Sequence, residues 1–207
     1  DSKADKYWYD SKGFVVSAVG TVTYRKYKIE DSVCELANDL MNGVKIDEVI
    51  KELDGHFCLV ILNKYTNRCY VINDVGGSIH SYVYTKSHLV YITTSMLALA
   101  KTFKVTLNTS SIIGFIRSGM FFDDNTYVNE ITLLKPACFY EYNLHNSKQR
   151  QKNYWDVPKM TRNISFDDAR TMLANLFKDI ISLIPSSSSL YDFTGGFDAR
   201  FILSLAH

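Results

Sequence analysis

The sequence predicts an α+β protein in which antiparallel sheets pack against helices, followed by the beginning of an α/β segment. Short apolar stretches rich in Val, Ile, Tyr and Phe, separated by polar turns, dominate residues 13–120 and are typical of antiparallel strands. Segments with apolar residues at three- and four-residue spacing lie between them and predict covering helices. Near the end of the chain, a short strand at 190–193 runs into a Gly-Gly turn and a helix start.

Composition favours a folded chain with a mixed surface. The 207 residues are 46% hydrophobic and 22% charged, enough for one domain and the start of a second. The 23 basic and 22 acidic residues are mixed along the chain, which argues against nucleic-acid binding. No apolar stretch approaches the roughly 18 residues that span a bilayer, and the first residues are polar. We therefore expect a cytoplasmic protein with no nucleic-acid or membrane partner.

Two helices are predicted before the strongest strand pair, at 32–41 and 46–53. Gly43 and Gly55 stand at the positions where these helices are expected to end, because glycine is the residue that most often follows a helix.

The clearest hairpin has arms at 57–62 and 69–74. Its first arm is apolar without interruption, and such a strand is usually buried on both faces, so we expect the sheet to be covered from both sides. The later predicted strands are at 81–85, 89–94, 131–134 and 137–144.

Three further helices are predicted, at 95–100, 110–117 and 165–183. Thr94 or Ser95 could cap the first of them. In the last, Ser165 is followed three residues later by Asp168, which approximates a capping box.

A domain boundary is predicted where the composition changes. Residues 146–163 are rich in Lys, Gln, Arg and Asn and have no sustained apolar period, which predicts a linker. The domains would then be 1–145 and 164–207, the second being incomplete.

Cysteines and histidines show no metal-ligand spacing. We expect reduced thiols in the core, no disulfide framework and no structural metal. Cys34 falls in a predicted helix and Cys58 in a predicted buried strand, so neither is expected to act as a nucleophile. The residues concerned are Cys34, Cys58, Cys69, Cys138, His56, His80, His88, His145 and His207.

The Gly-Gly turn carries the strongest functional signal. Free amides at the helix start, the positive end of the helix dipole and two glycines that allow close approach form a phosphate cradle. Asp198 can cap these amides or hold a magnesium ion that bridges phosphates. The alternative is a plain tight turn with Asp198 as an ordinary N-cap. The candidate pyrophosphate-binding residues are Thr194, Gly195, Gly196, Phe197, Asp198 and Arg200.

Three stretches in register resemble the asparagine synthetase family. The turn, here Thr-Gly-Gly-Phe-Asp-Ala, is similar to the family's pyrophosphate loop, Ser-Gly-Gly-x-Asp-Ser. Residues 53–63 and 73–77 look like the family's Asn-Gly-x-Phe-Ala-Phe hairpin and its Arg-Asp-x-x-Gly segment. Residues 131–142 and 154–156 look like the segment that leads to a Tyr-Trp at the end of the first domain.

This resemblance implies a four-layer sandwich of antiparallel sheets and helices of the N-terminal-nucleophile-hydrolase type. The first strand, loop and helix of an α/β adenine nucleotide-binding domain would follow. It implies ATP and magnesium as cofactors in a longer parent protein, with Asp198 binding magnesium through ATP. The implied reaction is AMP-forming amide synthesis between a small-molecule or peptide carboxylate and an amine, and the chain could form a homodimer.

The chain departs from the family at several positions. Asp1 stands where a catalytic cysteine would be, so we expect no glutamine hydrolysis and name no catalytic residue; the domain is then a degenerate scaffold, or the true beginning lies outside this chain. Ala199 lacks the hydroxyl of the family's serine, which Arg200 could compensate only by turning toward the anion. His207 ends the chain inside the predicted helix, so we expect this chain alone to be inactive.

Two alternatives stay open. The chain could be a non-catalytic pseudo-glutaminase scaffold or dimerisation module whose 12 Phe and 14 Tyr form an adhesive face, although rings that fill the core are the simpler explanation. The turn at Gly76 and Gly77 could be a ligand loop, but Asn73 replaces the family's arginine there and a structural turn is favoured.

Overall fold

The computed structural model describes residues 7–87, 89–146, 148–159, 163–184 and 194–205. The strands in these ranges are β1 (Trp8–Asp10), β2 (Phe14–Tyr24), β3 (Leu53–Asn63), β4 (Arg68–Asn73), β5 (Tyr82–Lys86), β6 (Leu89–Thr93), β7 (Ile131–Leu133), β8 (Cys138–Asn143) and β9 (Gln149–Asn153). The helices are α1 (Ile29–Met41), α2 (Ile46–Val49), α3 (Met96–Thr102), α4 (Thr109–Ser118), α5 (Phe166–Ser182) and α6 (Phe197–Leu205), and a 3-10 helix (Ile50–Glu52) follows α2.

The strands form two antiparallel sheets. The larger has the order β1-β2-β3-β4-β8-β9, so β1 and β9 are its edges. Its two longest strands, β2 and β3, pair over their whole length, from Phe14 opposite Asn63 to Tyr24 opposite Leu53. The smaller sheet has β5 at its centre, between β6 and β7. The predicted hairpin of β3 and β4 is confirmed.

Helices cover one face of the larger sheet. Leu36 of α1 and Val49 of α2 are fully buried and belong to one apolar cluster with Val16, Phe57 and Ile61 of the sheet. Because side chains alternate along a strand, the even residues of β2 and the odd residues of β3 point toward these helices.

The smaller sheet covers the opposite face. Cys58 and Val71 of the larger sheet pack in a second cluster with Val83 of β5. The outer face of the smaller sheet packs on α3, where Tyr84 and Leu99 share a third cluster. The packing order is helix, sheet, sheet, helix. The apolar arm of β3 is therefore buried on both faces, as predicted.

The two glycines predicted at helix ends behave differently. Gly43 follows α1 with φ +90°, which confirms its role. Gly55 lies inside β3 opposite Val22 with φ +115°, so its prediction was wrong. Its Cβ would stand 2.2 Å from the Thr21 carbonyl oxygen, so a glycine is needed here because the paired backbone approaches closely. The predicted helix 46–53 is α2 with the 3-10 helix.

Side-chain caps begin two of the later helices. Ser95 accepts a hydrogen bond from the Ala98 amide at 3.3 Å at the start of α3, as one of the two predicted caps. At α4 the cap is Asn108, which accepts from the Ser111 amide at 3.1 Å, and the helix begins one residue before the predicted start.

The predicted linker 146–163 contains a strand. Strand β9 pairs with β8, from Cys138 opposite Asn153 to Tyr142 opposite Gln149. All five β9 residues are exposed. An edge strand with no buried face needs no apolar alternation, which is why the composition there predicted a linker instead.

Helix α5 begins with the predicted capping box. The Ser165 hydroxyl accepts from the Asp168 amide at 3.1 Å and donates to the Asp168 carboxylate at 2.7 Å. Along the helix, Met172, Leu173 and Leu176 are exposed. No helix in the described part of the chain is both long and apolar enough to span a membrane.

Candidate functional site

The glycine turn lies directly before α6. Its two glycines precede Phe197, the first residue of the helix, so the predicted succession of turn and helix start is confirmed. The strand predicted at 190–193 lies outside the described residues. Helix α5 supports α6, because the Phe201 ring meets the Phe177 ring edge-on with centroids 5.1 Å apart.

Arg200 lies across the turn. Its Nη2 donates to the carbonyl oxygen of Gly195 at 2.8 Å, and its guanidinium carbon lies 5.7 Å from the centroid of the Phe197 ring. Inside the turn, the Gly196 amide donates to the Thr194 hydroxyl at 3.4 Å. The positive charge of Arg200 is therefore held against the backbone of the turn.

The turn leaves room for an anion. A Cβ built on Gly195 would meet nothing within 4 Å, and one built on Gly196 would meet the Thr194 hydroxyl at 3.4 Å. The turn is exposed. The first amides of a helix have no intrahelical acceptor and carry the positive end of its dipole, so the start of α6 can bind a phosphate group.

Asp198 lies in the first turn of α6. In the described ranges, no three His, Cys, Asp or Glu side chains come close enough together to hold a metal ion. A lone carboxylate nevertheless fits magnesium, because this ion commonly binds through one or two carboxylates and takes its other ligands from phosphates and water.

The second candidate loop, at Gly76 and Gly77, is organised by Asp74. This carboxylate is 1% exposed and accepts from the Gly76 amide at 2.9 Å and from the Ser78 amide at 3.1 Å. It also accepts from the Phe57 amide of β3 at 3.1 Å. Because backbone amides of the protein itself bind this carboxylate, the Gly76-Gly77 segment is better explained as a structural turn than as a ligand loop.

Asn73 completes this junction between the sheets. Its Nδ2 donates to the Leu134 carbonyl at 3.1 Å, and its Oδ1 accepts from the Ser81 hydroxyl at 2.9 Å. Asn73, the last residue of β4, thus ties the end of this strand to the segment after β7. The sequence signal for this role was a polar pair, Asn73 and Asp74, at the end of an apolar strand.

The cysteines have the surroundings of structural thiols. Burial raises the pKa of the Cys58 thiol, and burial raises that of Cys69 to about 11. Cys138 is buried as well, whereas Cys34 is exposed on α1. Because the thiolate is the reactive form, the environments of Cys58 and Cys69 oppose nucleophilic chemistry.

We expect a single thiol to react rapidly with Ellman's reagent in the native protein at pH 8. With its pKa near 11, Cys69 is thiolate in only about one molecule in a thousand at this pH, so its reaction accelerates as the pH rises toward 11. Replacement of Cys34 with serine removes the rapid phase, and denaturant exposes the other thiols. A second rapid thiol would contradict this assignment.

Many of the aromatic residues are buried or pack against one another. The Tyr84 ring stacks on Phe103 with centroids 4.3 Å apart, and Phe115 stacks on Phe121 at 4.9 Å. These positions support the core explanation of the aromatic content over an adhesive face. The buried Phe and Tyr rings include Phe14, Tyr24, Phe57, Tyr70, Tyr84, Phe139, Tyr140 and Tyr142.

The solved structures that are similar to this chain include the following two. The allosteric regulatory enzyme of purine biosynthesis is 10% identical with a TM-score of 0.41, over 72% of this chain and 31% of that one. Glutamine phosphoribosylpyrophosphate amidotransferase from B. subtilis, complexed with ADP and GMP, is 11% identical with a TM-score of 0.38, over 96% of this chain and 45% of that one. The chain thus spans less than half the length of either. No protein-family model and no curated protein sequence matches it.

Proposed function

We propose that the turn before α6 is the pyrophosphate-binding loop of an ATP-dependent, amide-forming ligase of the asparagine synthetase type. The layered domain that precedes it would be a glutaminase-like scaffold of the N-terminal-nucleophile type that does not use its four cysteines for catalysis. The ligase would join a small-molecule or peptide carboxylate to an amine, with ATP and magnesium as cofactors.

One observation carries the proposal, namely the arrangement at the start of α6. Two exposed glycines precede the helix, and the guanidinium of Arg200 is hydrogen-bonded to the Gly195 carbonyl. Amides of Gly195, Gly196 and Phe197 would bind the pyrophosphate, and the Arg200 charge beside them would favour the anion.

Asp198 has a separate part in this proposal. When magnesium is bound with ATP, it neutralises charge on the phosphates and thereby makes pyrophosphate a better leaving group. The Asp198 carboxylate in the first turn of α6 would hold that ion. Ala199 offers no hydroxyl to the phosphates, so the loop is expected to bind more weakly than one that has serine at this position.

The layered domain supports the proposal independently of the turn. A helix layer, two antiparallel sheets and a second helix layer follow one another in the packing order expected from the family resemblance. Tyr154, at the end of this domain, donates its hydroxyl to the Asn73 carbonyl at 2.6 Å and so anchors the chain where it leaves the sheet. The proposed ligase would form a homodimer and act in the cytoplasm.

Calorimetric titration with magnesium–ATP tests this proposal. It is carried out on this chain and on the longest natural protein that contains it. In the longer protein, Asp198→Ala is expected to weaken ATP binding by about 10- to 100-fold, because it removes a charged ligand. Ala199→Ser is expected to tighten binding by about fivefold through one added hydrogen bond.

The matched control is Asp179→Ala, which removes an exposed carboxylate from α5 and is expected to leave the affinity unchanged. If neither protein binds ATP, or if Asp198→Ala binds it as well as the unchanged protein, the proposal fails.

A further inference from the structure

A groove of about 540 Å³ opens at the end of the two sheets, apart from the glycine turn. It lies where the β7–β8 connection, strand β9 and the segment after β9 meet. Its lining includes Val75, Asp123, Lys135, Trp155, Asp156 and Val157.

The floor of the groove is fixed by partly buried hydrogen bonds. The Lys135 amide donates to the Tyr140 hydroxyl at 2.8 Å, and the Lys135 carbonyl accepts from Asn73 Nδ2 at 3.3 Å. The Ala137 amide donates to the Asp74 carbonyl at 2.9 Å. Tyr140 and Asn73 are themselves buried, so this backbone is held in place without a ligand. Such preorganisation lowers the entropic cost of binding.

The walls expose apolar surface to water. Trp155 is 42% exposed, and Val75 and Val157 are exposed beside the same groove. An aromatic face with aliphatic neighbours suits the apolar body of a small molecule. An indole face also attracts a cation placed over it.

The rim is mainly acidic. Three lining carboxylates, those of Asp123, Asp124 and Asp156, accompany one ammonium group, that of Lys135. Lys135 Nζ lies 3.5 Å from Asp124 Oδ1, so this pair partly neutralises itself. Asp156 accepts a hydrogen bond from Asn153 at 2.7 Å, which orients its carboxylate but leaves its charge. The side chains that line the groove therefore carry a net negative formal charge.

We propose that this groove binds a small organic cation, an amine or guanidinium group carried on an apolar body. The apolar part packs on Trp155, and the cation lies toward the carboxylates of Asp123 and Asp156. An anion of the same shape would be repelled by these charges, and a neutral analogue would gain only the apolar contact. The inference is independent of ATP binding at the glycine turn.

Amide and indole NMR spectra of the ¹⁵N-labelled chain test the proposal with three matched probes. These are phenethylamine, 2-phenylethanol and 3-phenylpropionate, which share a phenyl body and differ in charge. Trp155 and Trp8 are the two tryptophans, and Trp8 lies on edge strand β1 at the opposite side of the larger sheet. Trp8 thus serves as an internal reference, and a Trp155→Phe variant assigns the indole signals.

Phenethylamine is expected to shift the Trp155 indole signal in a saturable way, at millimolar concentrations, without moving that of Trp8. It should bind at least about fivefold tighter than 2-phenylethanol, and 3-phenylpropionate should bind weakest. Asp156→Asn and Asp123→Asn should each weaken phenethylamine about three- to tenfold. Asp31→Asn, which changes an exposed carboxylate on α1, should not alter it.

Equal affinity for the amine and the alcohol would overturn the proposal, because the carboxylates would then contribute nothing. An unchanged affinity in both groove variants, or no saturable shift of Trp155, would also overturn it. Thermal unfolding of each variant distinguishes a lost site from a lost fold.

Discussion

Replacement of Asp74 with alanine is expected to lower the free energy of unfolding by about 4 kcal/mol. The Asp74 carboxylate is itself buried and accepts backbone hydrogen bonds from Phe57, Gly76, Ser78 and Ile79. Each buried donor left without an acceptor costs about 1–3 kcal/mol, and water reaches part of the more exposed loop amides. Urea unfolding followed by circular dichroism measures the loss.

Two further variants sharpen this test. Asp74→Asn keeps one of the two acceptor oxygens, so it should lose about half as much stability. Asp31→Ala removes an exposed carboxylate and should change stability by less than about 0.5 kcal/mol. An Asp74→Ala protein as stable as the unchanged one would show that the junction between the sheets does not depend on this carboxylate.

Replacement of Phe57 with alanine is expected to cost about 3–5 kcal/mol. Phe57 is 1% exposed and lies in the cluster between the larger sheet and α1. Removal of the ring therefore loses buried apolar surface and also leaves a cavity. For a domain of this size, such a loss lowers the melting temperature by about 10–20 °C.

Val19 offers a matched control for the core variant. It lies on β2, the strand paired with the one that carries Phe57, but it is 48% exposed. Val19→Ala should therefore change stability by less than about 0.5 kcal/mol. If the two variants lose stability equally, the cluster under α1 is not the main core of the domain.

The sequence revealed strands with a strong local pattern. The uninterrupted apolar arm of β3 indicated two covering layers, and the helices and the smaller sheet provide them. Strand β9 could not be predicted in this way, because its five residues are all exposed and its pairing depends on β8. Gly55 was placed wrongly because a glycine marks both helix ends and close backbone approaches.

The two candidate sites also differ in whether local sequence could predict them. The glycine turn is local, so seven consecutive residues were enough to predict a turn followed by a helix start. The acidic groove joins Val75, Asp123, Lys135 and Trp155, which are far apart along the chain and meet only because the sheets bring them together. No spacing rule could have assembled that set.

The most direct test of the proposed function is the response of the Gly195 and Gly196 amide signals to magnesium pyrophosphate, recorded by NMR with adenosine as the comparison. If the turn is a pyrophosphate loop, both signals shift in a saturable way with magnesium pyrophosphate, adenosine leaves them unchanged, and Asp198→Ala abolishes the shift. If magnesium pyrophosphate shifts neither amide signal, both in this chain and in the longest natural protein that contains it, the proposal is contradicted.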